Sequence, residues 1–171
     1  MANTYTLISS NTVGVGGAAS VTFSSIPSTY TDLQIVASAR GTNTAAYQYA
    51  LITFNSSTSG YSYKILEGNG AAGSSFGSAS DTSLQANIGT GSTATASVFG
   101  NFSLYIPNYA GSSNKSASVD TVGENNATTA YMALEAGLLA NTAAITSITL
   151  TGSTFPFVQY STFYLYGIKN S

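Results

Sequence analysis

Apolar and polar residues alternate one by one along much of this chain. In "DLQIVASAR", Leu33, Ile35, Ala37 and Ala39 fall on one face and Gln34, Val36, Ser38 and Arg40 on the other. In "STFYLYGIK", Phe163, Leu165 and Gly167 oppose Thr162, Tyr164, Tyr166 and Ile168. A period of two belongs to a half-buried strand, and helical spacing hardly occurs. Clusters of Gly, Asn, Ser and Pro interrupt the runs. Strands are predicted at Thr4–Ser10, Ser20–Ile26, Asp32–Arg40, Tyr49–Asn55, Tyr61–Leu66, Thr82–Ile88, Ala94–Ile106, Lys115–Val122, Thr129–Leu139, Ile145–Thr151 and Ser161–Lys169.

One segment sets propensity against pattern. "AYMALEAGLLA" (Ala130–Ala140) has the Ala, Leu, Met and Glu content of a helix. Yet Met132, Leu134, Ala136 and Leu138 alternate with Tyr131, Glu135 and Gly137, and glycine weakens a helix interior, so the segment reads as a strand. The loops "VGVGGAAS" (Val13–Ser20), "EGNGAAGSSFGSAS" (Glu67–Ser80) and "GTGSTATAS" (Gly89–Ser97) lack the length and charge of interdomain linkers, so residues 1–171 read as one domain. So many short strands do not fit one flat sheet. The expected fold class is all-β: a two-sheet antiparallel β-sandwich of jelly-roll type.

Composition narrows the chemistry. Only 6% of the 171 residues are charged, against roughly a quarter in an ordinary soluble domain. Four Lys and Arg with a net charge of −2 give no footprint for nucleic acid. There is no cysteine and no histidine, so thiol nucleophiles, disulfides, the usual transition-metal ligands and the commonest general base are all missing. No apolar run is long enough to span a membrane as a helix, and "MANTYTLISS" has neither the basic nor the apolar part of a signal peptide. Enzyme chemistry would rest on six carboxylates and four cations. No spacing pairs Glu67, Asp81, Asp120, Glu124 or Glu135 across a cleft as a glycosidase requires. The expectation is a non-enzyme without metal or cofactor.

Several motifs reduce to structure. "DTVGENN" (Asp120–Asn126) gathers oxygen ligands but lacks the spacing and terminal Glu of a calcium loop, and reads as a turn. "VGVGG" and "GNGAAG" lack the lysine and the strand-to-helix context of a phosphate cradle. The sequons at Asn55, Asn101, Asn114 and Asn126 arise easily in a chain rich in Asn, Ser and Thr. Asp32 and Arg40 sit at opposite ends of one strand, roughly 26 Å apart at about 3.3 Å per residue, so each makes its own bonds. Asp32 is expected to bond backbone N–H groups at a turn. Arg40, with its planar fork, is expected to clamp carbonyls or a carboxylate, with reach to a neighbouring chain. The tyrosine pairs Tyr47 and Tyr49, Tyr61 and Tyr63, and Tyr164 and Tyr166 each share a face. Such pairs suit interfaces and sugar platforms, and equally a core whose rim the hydroxyls reach. Arg40 and these six tyrosines are the interface candidates.

At "FSSIPSTYTDLQIVASARG", "YSYKILEGNG", "YIPNYAGSSNKSASVD", "NTAAITSITLTG" and "LYGIKNS" the chain resembles small virion proteins of tailed bacteriophages, particularly those of cyanobacteria and marine bacteria. The resemblance implies a jelly-roll decoration (cement) protein on the outside of the capsid, or a tail-fibre module recognising host surface glycan. It implies partners in the major capsid protein or other virion proteins and in further copies of the chain, with a trimer as the candidate oligomer. A surface of hydroxyls and amides fits many-copy packing, because symmetry mates do not repel.

Overall fold

The computed structural model describes residues 4–68, 70, 72–124 and 131–169. Among these the chain forms strands and no helix: β1 (Tyr5–Thr12), β2 (Ser20–Phe23), β3 (Asp32–Ala39), β4 (Tyr47–Phe54), β5 (Tyr61–Gly68), β6 (Gly73–Asp81), β7 (Leu84–Thr90), β8 (Gly100–Ile106), β9 (Lys115–Gly123), β10 (Tyr131–Leu139), β11 (Ile148–Thr151) and β12 (Thr162–Ile168). They build an eight-stranded sheet in the order β1-β12-β3-β8-β9-β10-β5-β6 and a four-stranded sheet in the order β2-β11-β4-β7, with every pairing antiparallel.

Without the hairpins β5–β6 and β9–β10, the remaining strands lie as β1-β12-β3-β8 and β2-β11-β4-β7. Chain-distant strands are neighbours (β1 with β12, β2 with β11, β3 with β8) and the path crosses between the sheets. That is the jelly roll. The two hairpins extend one of its sheets beyond β8.

The alternation read in β3 and β12 points as expected: Leu33, Ile35, Ala37, Phe163 and Leu165 are buried, and Val36 and Tyr164 are exposed. With Phe102, Leu104 and Ile106 of β8 they meet Ile52 and Phe54 of β4, Leu84 and Ile88 of β7, and Ile148 and Leu150 of β11 in one core. The first and last strands, β1 and β12, pair with each other at the sheet edge, with Tyr5 opposite Ile168.

Three expectations need correction. Residues 73–81, read as part of a loop, are the edge strand β6. Its backbone ladder to β5 makes it a strand, while almost every side chain stands in solvent, so no apolar row announced it. Residues 94–97 are read both as the end of the loop Gly89–Ser97 and as the start of the strand Ala94–Ile106; residues 94–99 precede β8 as a loop, whereas Gly89 and Thr90 belong to β7. Residues 120–122 are read both as the end of the strand Lys115–Val122 and as the start of a turn; the strand reading stands and the turn reading does not, since β9 runs through Gly123, while Asn125, Asn126 with its sequon, Thr129 and Ala130 lie outside the described residues.

In β10 the strand reading stands, and the structure decides which face is inside. Ala133, Glu135, Gly137 and Leu139 face the core, whereas Met132, Leu134, Ala136 and Leu138 face out. The reason lies in β7, which packs against β3, β5, β8, β9 and β10. A Cβ at Gly137 would lie 2.8 Å from both Cδ atoms of Leu84, so this face must be small where β7 presses on it.

Candidate functional site

β4 and β7 slip by a bulge between Gln48 and Tyr49, which sets Tyr49 opposite Asn87. The bulge passes close beneath β3: Gly89 has φ +152°, and a Cβ there would lie 2.2 Å from the Ala39 carbonyl oxygen. The β5–β6 hairpin and the start of β10 approach the same place. The Tyr49 hydroxyl donates to Glu67 Oε2 (2.8 Å), and Ser74 Oγ donates to Glu67 Oε1 (3.1 Å). Burial first, and then the hydrogen bond to the Glu67 carboxylate, hold the Tyr49 phenol well above its ordinary pKa.

Aromatic rings continue from there. Tyr47 and Tyr49 meet edge to face at 5.2 Å, Tyr47 and Tyr131 at 5.9 Å with planes tilted by 50°, and Tyr49 and Phe76 edge to face at 6.4 Å. Beside Tyr47 and Tyr131 opens a small cleft, part of it continuous with solvent, lined by Tyr47, Glu67, Ser74, Asn87, Tyr131 and Met132 among others. Asn87 is only 5% exposed, and its side-chain amide makes one hydrogen bond among the described residues, accepted by Oδ1 from the Gly89 N–H (3.4 Å). Glu67 is the one carboxylate among the lining residues. Its two oxygens already accept from a phenol and a hydroxyl, an arrangement that holds hydroxyl groups.

A second surface is the outer face of the eight-stranded sheet. At one end Leu66, Val122, Met132, Leu134 and Leu138 are exposed; at the other Leu7, Val36 and Tyr164 are. Across β10, Leu134 stands opposite Leu66 on one side and Asp120 on the other, while Ala136 stands opposite Lys64. Lys64 and Asp120 are the exposed charged side chains on the described strands of this face, one on each flank of β10.

The interface candidates fall in different places. Arg40 is buried, and its guanidinium donates to four carbonyls of its own chain: Thr95 (2.6 Å), Val98 (2.9 Å), Ala94 (3.0 Å) and Ser92 (3.2 Å). It pins the loop between β7 and β8. Tyr61 is buried and closes the β4–β5 turn by accepting from the Phe54 N–H (2.8 Å). Tyr63 faces inward, with its hydroxyl on Gln85 Oε1 at 3.3 Å. Tyr164 and Tyr166 stand on the outer face, where Tyr166 meets Tyr5 edge to face at 6.5 Å. Of these candidates Tyr47 alone lines the cleft, and Tyr49 stands behind it, bonded to Glu67. Its other members, Glu67, Asn87 and Tyr131, were not singled out as site residues, because strands distant in the chain bring them together.

No protein-family model matches this chain, and no curated protein matches it.

Proposed function

We propose that this chain is a structural protein of a bacteriophage virion, a capsid decoration protein whose copies associate through the outer face of the eight-stranded sheet. The placement on a virion follows from the likeness of the segments quoted above. The association follows from that face. It presents Leu66, Val122, Met132, Leu134 and Leu138 together, where monomeric proteins keep large apolar side chains scattered.

The charges favour a second copy as the occupant. Lys64 and Asp120 lie diagonally across the Leu134–Ala136 stretch of β10. A two-fold axis in the plane of the contact and perpendicular to the line joining them sets each Lys64 over the partner's Asp120. The same axis stacks the two β10 strands, giving an isologous, self-complementary contact. Paired copies would bridge neighbouring capsomers.

The test has two parts. Quantitative mass spectrometry of purified virions is expected to give about as many copies of this chain as of the major capsid protein; a few copies per particle would point to a tail-fibre module instead. In sedimentation experiments, Lys64→Asp and Asp120→Lys are each expected to weaken self-association by about tenfold or more. The double exchange is expected to restore it. Purely monomeric behaviour of the unaltered protein, or single reversals without effect, would sink the proposed contact.

A further inference from the structure

The cleft at Tyr47 goes beyond assembly. We infer that it binds a neutral saccharide, stacking the ring of a terminal sugar on Tyr131 and Tyr47 and hydrogen-bonding its hydroxyls to Asn87 and Glu67.

The aromatic wall comes first. The axial hydrogens of a pyranose make one face of the sugar apolar, and that face packs on an aromatic ring. At a centroid distance of 5.9 Å, Tyr47 and Tyr131 stand too close to admit a ring between them, which needs roughly 7 Å, or two van der Waals contacts. They form one tilted wall, and a sugar lies against it.

The polar groups complement sugar hydroxyls. Each Glu67 oxygen accepts one hydrogen bond, from Tyr49 or from Ser74, and an ionised carboxylate has further lone pairs for hydroxyl donors. Asn87 is buried beside the cleft and has its Nδ2 hydrogens left to give. Acceptor and donor side by side are what vicinal hydroxyls require, since each hydroxyl both gives and takes. Charge sets the class of ligand. None of the described lining residues is Lys or Arg, so an acidic sugar meets the carboxylate of Glu67 without a counter-charge among them. The cleft is small and open to solvent on one side, so it takes the end of a saccharide, one ring against the wall, rather than enclosing a ligand.

The experiment is amide and side-chain chemical-shift mapping on the intact protein, which needs no variant to fold. The probes are the methyl glycosides of glucose, galactose, mannose and N-acetylglucosamine in both anomeric forms, with glucuronate and sialic acid as acidic comparators, all at millimolar concentration. At least one neutral glycoside is expected to shift the Asn87 side-chain amide and the signals of Tyr47 and Tyr131 saturably, and more strongly than either acid. Tyr131→Ala is expected to weaken that binding by about tenfold or more, and Tyr131→Phe to keep most of it. No saturable shift with any neutral probe, shifts that map elsewhere, or preference for an acid would each overturn the inference. None of these outcomes bears on the contact through the outer face, so the two proposals fail separately.

Discussion

Asp32, Arg40, Lys115 and Glu135 are buried, four of only ten charged residues in the chain. The first three hold loops. Asp32 accepts from the Asn108 N–H (2.9 Å) and the Tyr105 hydroxyl (2.6 Å), and that bond pushes the Tyr105 phenol up to about 12. Arg40 collects four carbonyls, and Lys115 reaches those of Gly111, Ser113 and Thr142. Loop carbonyls turned inward need donors, and a charged donor bonds them more strongly than a neutral one. Glu135 differs. It lies between Ile65 and Val119 on the inner face, with Tyr63 nearby, and neither carboxylate oxygen has a hydrogen-bond partner among the described residues. Burial pushes its carboxyl from the ordinary 4.5 up to about 8. The folded protein therefore keeps a proton that the unfolded chain gives up. The contribution of Glu135 to stability is full below pH 4.5, falls as pH rises and levels off above about 8, for a loss of up to roughly 5 kcal/mol from this one group. Glu135→Gln should flatten this profile in melting curves taken across that range; a profile as steep as that of the parent would show that Glu135 is not its source.

At the scale of elements, β10 and β7 depend on each other. Valine suits a strand better than glycine does, yet Gly137→Val would drive a branched side chain into Leu84. It is expected to lower the free energy of unfolding by about 1–3 kcal/mol, and pairing it with Leu84→Ala should recover part of the loss, as denaturant titration would reveal. The same pair marks where sequence reading stops. Alternation identified β10 as a strand against its helical composition, but alternation has two faces, and only the approach of β7 selects the inner one. β6 was hidden for a related reason: an edge strand with solvent around nearly all its side chains carries no periodic signal. The loop at 94–99 carried strand-like residues, and the guanidinium of Arg40, distant in the chain, holds it in another shape. At the cleft, Tyr47 and Tyr49 were visible as a pair on one face. Tyr131, Glu67 and Asn87 join them only through the β4–β7 bulge and the pairing of β5 with β10, neither of which leaves a mark on local spacing.

For the molecule as a whole, the jelly roll ties the earliest strands to the latest. β12 lies hydrogen-bonded between β1 and β3, and β11 between β2 and β4. Four of the ten strand pairings wait for β11 or β12, and closing long loops costs entropy before any contact repays it. Refolding from urea is therefore expected to take milliseconds to seconds rather than microseconds. A chain ending before Thr162 should show neither a cooperative unfolding transition nor dispersed amide signals. Cooperative folding of that shortened chain would contradict the dependence of the sandwich on its final strand.

The hairpins β9–β10 and β5–β6 join the eight-stranded sheet one beyond the other, and β6 ends the row with a free edge. Growth there leaves the pairing of the eight jelly-roll strands untouched. This flank can therefore be lengthened or shortened one hairpin at a time, and its outer face remodelled, without rebuilding the sandwich that carries it.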